Sequence, residues 1–473
     1  MPATLISQTE DFLTLEVKIP ITRDMWQGEN NIQNALNEAG QIATSHLLKR
    51  HDTDGKPIVM GSVRMTSKGL APKVYQSPYG EINIERHIYQ TSKGGAVFCP
   101  LETGARIVLT STPRFAAQVA RKTAEMGAGC VVEDLKVNHN REVVKNTVQR
   151  ISEAVAAGIQ AVEEKWSYHT PEFKEEVATV SIGLDGASVL MTTGDWRQAM
   201  AGTVSLYNET GKRQHTIYIA AVPEHGKEVF KERMRREIEH VRGLYPHATR
   251  IGIADGAADN WEFLEKYTDK QTLDFYHATE YLAGVSNGLF NEEAIAKKWL
   301  ANRCHQLKSF EGGAADILEE VVNLYEKALK GTAPKTMKFR MKSIEPCSGW
   351  EEGYENVAPH SKPKIQEETI SVTNLFKKNI DTKALDAFVS YFRNNIAKSR
   401  MSYAENLEAN LPIGSGVTES ACKMIIKSRL CQSGMRWKEK GMGVILSLRT
   451  LARSDGKWDQ FWQKVNQYGF PGH

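Results

Sequence analysis

The chain has 473 residues, 41% hydrophobic and 25% charged, with a formal net charge of +3. That length exceeds one ordinary hydrophobic core, so two or three domains are expected, and so small a net charge means that any nucleic-acid surface must come from local clusters of lysine and arginine. No run of about 18 apolar residues occurs, the six cysteines form no C-x-x-C pair and the stretch MPATLISQTEDFLTLEVKIP has no basic leader, which argues against a membrane span, a zinc ribbon, a disulfide scaffold and a secretory signal, and for reduced thiols in the cytoplasm.

Residues 29–50 carry apolar positions at helical spacing and meet the turn residues DTDGKP at 52–57, which predicts a helix within a mostly helical N-terminal region, 1–79. From 80 to 101, Ile82 and Ile84 alternate with polar residues before Gly94-Gly95, the pattern of a β-hairpin. Thr112 and Pro113 read as N-cap and first residue of a helix over 112–129, and a longer helix over 138–166 bears Arg141, Lys145 and Arg150 near its start. Two helices across a Gly-containing turn outline a helix-turn-helix, and equally a helical hairpin with a solvated charged face. On the first reading, 80–170 binds DNA through those three cations.

Proline and acids at 168–176 mark a linker, after which TVSIGLDGASVLM (179–191) reads as a strand with Asp185 where it leaves the core. Strands at 203–208 and 213–222, a helix at 226–245, the strand 249–254 running into Asp255, a helix opening near Asp259 and a strand at 272–276 follow. Three meander strands and then helix, strand, helix, strand predict an α/β fold over 171–282, a mixed five-stranded sheet with flanking helices. From 283 to 405 the pattern is helical apart from the stretch 331–366, and reads as an all-helical insertion. Its segment GTAPKTMKFRMKS reads as a loop whose Lys335, Lys338 and Arg340 suit phosphates or plain solvent. Residues 406–473 complete the core, with the loop PIGSG opening a helix that carries Glu419 in its first turn.

Two carboxylates at neighbouring strand ends repel one another unless a hard cation sits between them, and Glu419 is the third acid such a site requires. Two divalent ions held this way activate an attacking oxygen and stabilise the leaving oxygen of a phosphodiester. Each residue also has a plainer reading: Asp185-Gly186 and Asp255-Gly256 are turn dipeptides, and Glu419 suits a helix start. Ser415 lacks a G-x-S-x-G elbow, which argues against a serine hydrolase.

The stretches GLDGAS, IADGA, DFYHATEYL, YFRNNIAKSRMSYAENLEANLPIGSGVTESACK and SGMRWKEKGMGVILSLR together resemble the ISKra4-like insertion-sequence transposases, DDE recombinases with a ribonuclease H-like catalytic domain, over roughly residues 80–450. The resemblance implies that Asp185, Asp255 and Glu419 are the catalytic acids and bind two magnesium ions, manganese substituting. The wide gap between Asp255 and Glu419 matches the helical insertion of related Mutator-like enzymes. Their C/D-x-x-H motif falls on Asp274 and His277, which makes His277 a catalytic candidate beside the plainer reading of a structural histidine. Lys423, Lys427, Arg429 and Arg436, with Trp437, form a basic stripe suited to DNA phosphates. The implied activity is cleavage at transposon ends and attack of the freed 3′-hydroxyl on target DNA, by a dimer or larger assembly on terminal inverted repeats in a prokaryotic nucleoid. A ribonuclease H-like nuclease or resolvase would share the acids and cut without joining; a domesticated DNA-binding protein would need none of them.

Overall fold

The computed structural model describes residues 3–163, 165–342 and 365–471, so residues 343–364 of the stretch 331–366, Cys347 among them, lie outside the described residues. The chain divides into two compact units, residues 1–169 with 432–473 and residues 170–431, the division falling inside the proline- and acid-rich stretch 168–176.

The first unit opens with the antiparallel pair β1 (Ala3–Gln8) and β2 (Leu13–Val17) and the helix α1 (Met25–Lys49), whose N-cap Asp24 accepts from the N–H groups of Trp26 and Gln27. Four strands then pair in chain order, β3 (Ile58–Met60), β4 (Val63–Gln76), β5 (Glu81–Thr91) and β6 (Gly94–Phe98). Residues 1–79 are therefore four strands around one helix, and not the mostly helical region that the 29–50 periodicity suggests. β4 buries only Tyr75 fully and is held by its ladder with β5, a partner that local spacing does not reveal.

Four helices follow, α2 (Pro100–Gly104), α3 (Pro113–Glu125), α4 (Ala128–His139) and α5 (Lys145–Val162). Where two long helices are expected over 112–166 there are three: the stretch between them is itself the helix α4, which Asn140 ends in a left-handed conformation (φ 50°). Arg141 is the clearest correction among the predicted DNA contacts. Its side chain is buried, donating to Ser77 O at 3.1 Å and Gln76 Oε1 at 2.8 Å while it lies over the Phe115 ring, so its charge serves the interior. Lys145 and Arg150 are exposed at the start of α5.

The second unit begins with β7 (Thr179–Leu190), β8 (Trp196–Tyr207), β9 (Arg213–Ala221), α6 (Glu228–Leu244), β10 (Thr249–Ala254), α7 (Ala258–Tyr267) and β11 (Lys270–Leu273). The strands form the mixed five-stranded sheet in the order β11-β10-β7-β8-β9, the first three parallel and the last three an antiparallel meander. Between this sheet and Glu419 lie α8 (Phe275–Leu289), α9 (Glu293–Ser309), α10 (Gly313–Leu329), β12 (Thr336–Lys342), β13 (Ile365–Ser371), α11 (Thr382–Ala397) and α12 (Tyr403–Glu408). The insertion is thus not all-helical, and the basic segment near 335 is a strand and not a loop. Met337 and Phe339 are buried while Lys338 and Arg340 are exposed, an alternation that suits a two-stranded ribbon with β13. Lys335 is exposed, and Arg340 is engaged across the ribbon with Glu367 at 2.7 Å.

After α13 (Gly416–Ala421), a π-helical turn over Cys422–Lys427 and α14 (Ser428–Leu430), the chain passes to the first unit as α15 (Glu439–Arg453) and α16 (Lys457–Tyr468). Residues 406–473 do not stay together as one part of the core. Leu448, Leu451, Phe461 and Val465 are instead buried with Val148, Ile151 and Val155 of α5 and Phe115 and Val119 of α3, which supply the apolar surface these helices need. Among the described residues no helix is long and apolar enough to cross a membrane.

Arg449, 2% exposed, meets Glu125 Oε2 at 3.1 Å, and Arg453 reaches the same oxygen at 2.6 Å. Burial alone would raise the Glu125 carboxyl, but the Arg453 hydrogen bond and the charges of Arg449, Arg453 and Arg121 outweigh it and hold the group below the ordinary glutamate value of 4.5. A carboxyl depressed by folding contributes stability that is present above its unfolded value and lost as pH falls through the folded one. The first unit should accordingly lose thermal stability below about pH 4.5, and Glu125→Gln should flatten that acid limb. Melting curves with the same acid limb in both proteins would refute the assignment.

Candidate functional site

β7 shows why the sheet can present carboxylates on one face. Val180, Ile182 and Leu184 are 2%, 0% and 3% exposed. They share one face, the one on which Gly202 of β8 meets Met234 of α6. Thr179, Ser181, Gly183 and Asp185 alternate onto the opposite face. On β8 that opposite face carries Thr203 and Ser205, paired with Gly183 and Ser181, and on β10 it carries Ile251 and Ile253, buried with Leu411.

Asp185 is not at the end of its strand, as its sequence context suggests. β7 continues to Leu190 against β8, with Asp185 opposite Ala201. The parallel neighbour is what ends: the β10 ladder closes at Ile253 opposite Gly183, and β10 itself stops at Ala254. Asp185 therefore stands where the sheet narrows. Continuing the register by two residues brings Asp255 level with Asp185, and the β11 register, Ala254 opposite Leu273, brings Asp274 level with both. An additional bond from Asp274 N to Ala254 O at 2.9 Å confirms that level. Asp185 within β7 and the first residues after β10 and β11, Asp255 and Asp274, thus come level at the end of three adjacent parallel strands, whose spacing is about 4.8 Å.

α13 covers this face. Thr418 Oγ1 meets Thr203 Oγ1 at 2.7 Å, and the side chain occupies the notch left by Gly183, where a Cβ would stand 2.0 Å from Thr418 Oγ1. The preceding loop is tied down by Asp274, which is fully buried: one carboxylate oxygen accepts from His277 N at 2.8 Å as the N-cap of α8, and the other accepts from Ser415 N. Ser415 Oγ in turn donates to Glu419 Oε1 at 2.7 Å. His277, half-buried, has Nδ1 3.2 Å from Glu280 Oε2, an outer carboxylate of the sort that orients a histidine ring.

Among the described residues, one group of three acids and histidines has its ligand atoms all within 4.8 Å of one another: Asp274, His277 and Glu419. Glu419 is thus brought to the pair from the D-x-x-H segment, while Asp185 on β7 and Asp255 just beyond β10 are not in that group. The donor set is dominated by carboxylate oxygens, the chemistry that magnesium and manganese require, with one imidazole that manganese also accepts.

The negative potential of the cluster registers on its neutral neighbours. Burial pushes the Cys422 thiol up, and Asp185 and Glu419 push it further. Burial likewise raises the Tyr391 phenol, with Tyr281, Asp255, Asp274 and Glu280 adding to it, and raises Tyr403, with Tyr391 and Asp274 adding. A cation among the carboxylates would relieve that potential.

The predicted basic stripe separates. Lys423 and Lys427 are exposed on the π-helical turn, but Arg429 on α14 is buried at 4% exposure and so is no DNA contact. Arg436, exposed, and Trp437, half-buried near Gly441, belong to the first unit. Sequence reasoning considered Ser415 only as a hydrolase nucleophile and Thr418 only as a helix start, and passed over Tyr391 and Cys422. The Ser415–Glu419 spacing of four, with the serine at the helix start, was the one available signal; the others touch residues from distant segments. No protein-family model matches the chain, and no curated protein matches it.

Proposed function

We propose that the chain is a DDE-type DNA transposase with a ribonuclease H-like core, cleaving transposon ends and joining the 3′-hydroxyl to target DNA. The observation that carries this reading is that Asp185 on β7 stands level with Asp255 and Asp274, the residues that follow the parallel strands β10 and β11, with the Glu419 helix seated on the Gly183 face of β7. Asp185, Asp255 and Glu419 would hold two magnesium ions, with Asp274 and His277 grouped about Glu419; manganese would substitute. When bound, the ions lower the cost of forming the attacking oxygen nucleophile and of releasing the leaving oxygen.

The protein's own part is positional. The β7–β10 ladder sets where Asp185 stands beside the end of β10, the Gly183 notch sets the depth of α13, and Ser415 and Asp274 fix the entry to that helix and the direction of Glu419. Lys145, Arg150, Lys335, Lys338, Lys423, Lys427 and Arg436 are exposed cations available to DNA phosphates. The enzyme would act as a dimer or larger assembly on paired inverted repeats.

The deciding experiment gives the protein pre-nicked end DNA, target DNA and magnesium. Joined product supports transposition. Cutting without joining would replace the reading by that of a nuclease or resolvase, and sequence-specific binding indifferent to magnesium, without cutting, would replace it by that of a DNA-binding protein.

A further inference from the structure

Asp255 lies one residue beyond the end of β10, exposed, where the strand ladder no longer fixes it. Locally its turn is held by Asp255 Oδ1 accepting from Ala257 N at 3.2 Å. The other restraint comes from far along the chain. Tyr391 of α11 donates its hydroxyl to the backbone carbonyl of Asp255 at 2.7 Å, across 136 positions. Tyr281 of α8 stacks on the Tyr391 ring, centroids 3.9 Å apart and planes at 11°. Gly256, at φ +117°, lets the turn close on that ring: a Cβ there would stand 3.0 Å from Tyr391 Cε2.

We propose that Tyr391 is the positioning residue for Asp255: its hydroxyl fixes the carbonyl of the turn, Tyr281 fixes its ring, and the helical insertion thereby sets the direction in which the Asp255 carboxylate meets a divalent ion. The proposal rests on the reading of the site given above. A carboxylate on a free turn would sample several directions and lose affinity for a cation that demands fixed geometry. Tyr391 comes from the insertion over 283–405, and Tyr281 from α8, which leads into it, so the insertion contributes a contact to the site.

The test measures manganese binding to the full chain by electron paramagnetic resonance, with end-DNA cleavage measured in parallel, in the unaltered protein, Asp255→Asn, Tyr391→Phe and Tyr281→Leu. Tyr391→Phe keeps the ring and the stack and removes one hydroxyl. It should weaken manganese binding by about 10-fold, lower kcat without raising KM for DNA, and recover activity as manganese is raised, with an unchanged melting temperature. Tyr281→Leu should have a smaller effect of the same kind. Manganese binding and cleavage unaltered in Tyr391→Phe, beside weakened binding in Asp255→Asn, would overturn the positioning role and leave the functional reading standing. Weakened manganese binding in Tyr391→Phe, in a protein that never cuts DNA, would support the positioning role and overturn the functional reading. No manganese binding by the unaltered protein would overturn both.

Discussion

Asp255→Asn should reduce magnesium-dependent cleavage and joining of end DNA by at least about 10²-fold, while end binding persists. Asparagine keeps the shape of the side chain and the oxygen that can accept from Ala257 N, so the turn after β10 can form as before. What is lost is a negative charge and one of two ligand oxygens. The fold should not suffer. Asp185, Asp255, Asp274 and Glu419 concentrate charge on one face of the sheet, and removing one of them relieves repulsion, so the melting temperature should stay the same or rise without metal. The rise in melting temperature on adding magnesium should shrink in the same variant. A protein with Asp255→Asn that cleaves and joins at the unaltered rate would refute the assignment of the site.

Gly183→Ala should be damaging out of proportion to one methyl group. The added Cβ would stand 2.0 Å from Thr418 Oγ1, 3.1 Å from Thr418 Cβ and 3.2 Å from Thr203 Oγ1. Gly183 is an ordinary strand residue, so the effect is steric and owes nothing to backbone strain. Thr418 is a short side chain on a helix that Ser415 and Asp274 also tether, and it has little room to retreat. Overpacking of this kind costs about 1–3 kcal/mol, and the displacement passes directly to Glu419, one residue further on. Activity should therefore fall further than stability does. Thr418→Ala removes the nearest atom, so the double variant should recover part of the loss despite losing the bond to Thr203. Additive losses in the double variant, measured by denaturant unfolding and by cleavage rate, would refute the notch as the device that seats α13.

Much of the second unit was legible in the sequence because its signals are local. Ile251 and Ile253 alternate toward a buried face, and β10 occupies the 249–254 that their spacing predicts. The turn between 208 and 213 and the need for a helix between parallel strands were enough to predict a mixed five-stranded sheet, though not its strand order. Two stretches misled for one reason. Residues 331–343 look like a solvated basic loop because the partner that makes them a strand, β13, lies beyond a long intervening stretch; Arg141 looks like an exposed cation because Ser77 and Gln76, which take up its donors, lie more than sixty positions earlier.

The sequence alone determined that Asp185 and Asp255 each come after a run of apolar strand residues, that Glu419 opens a helix, and that these acids form a rational candidate set. Periodicity and turn chemistry act over a few residues and need no partner. Only the tertiary structure decided which carboxylates stand level, that Asp274 and His277 are the groups closest to Glu419, that Gly183 is the seat of Thr418, and that a tyrosine of the insertion holds the turn of Asp255. Those relations depend on strand register and on side chains that meet from segments far apart in the chain, and packing against distant surface leaves no periodic mark in the sequence.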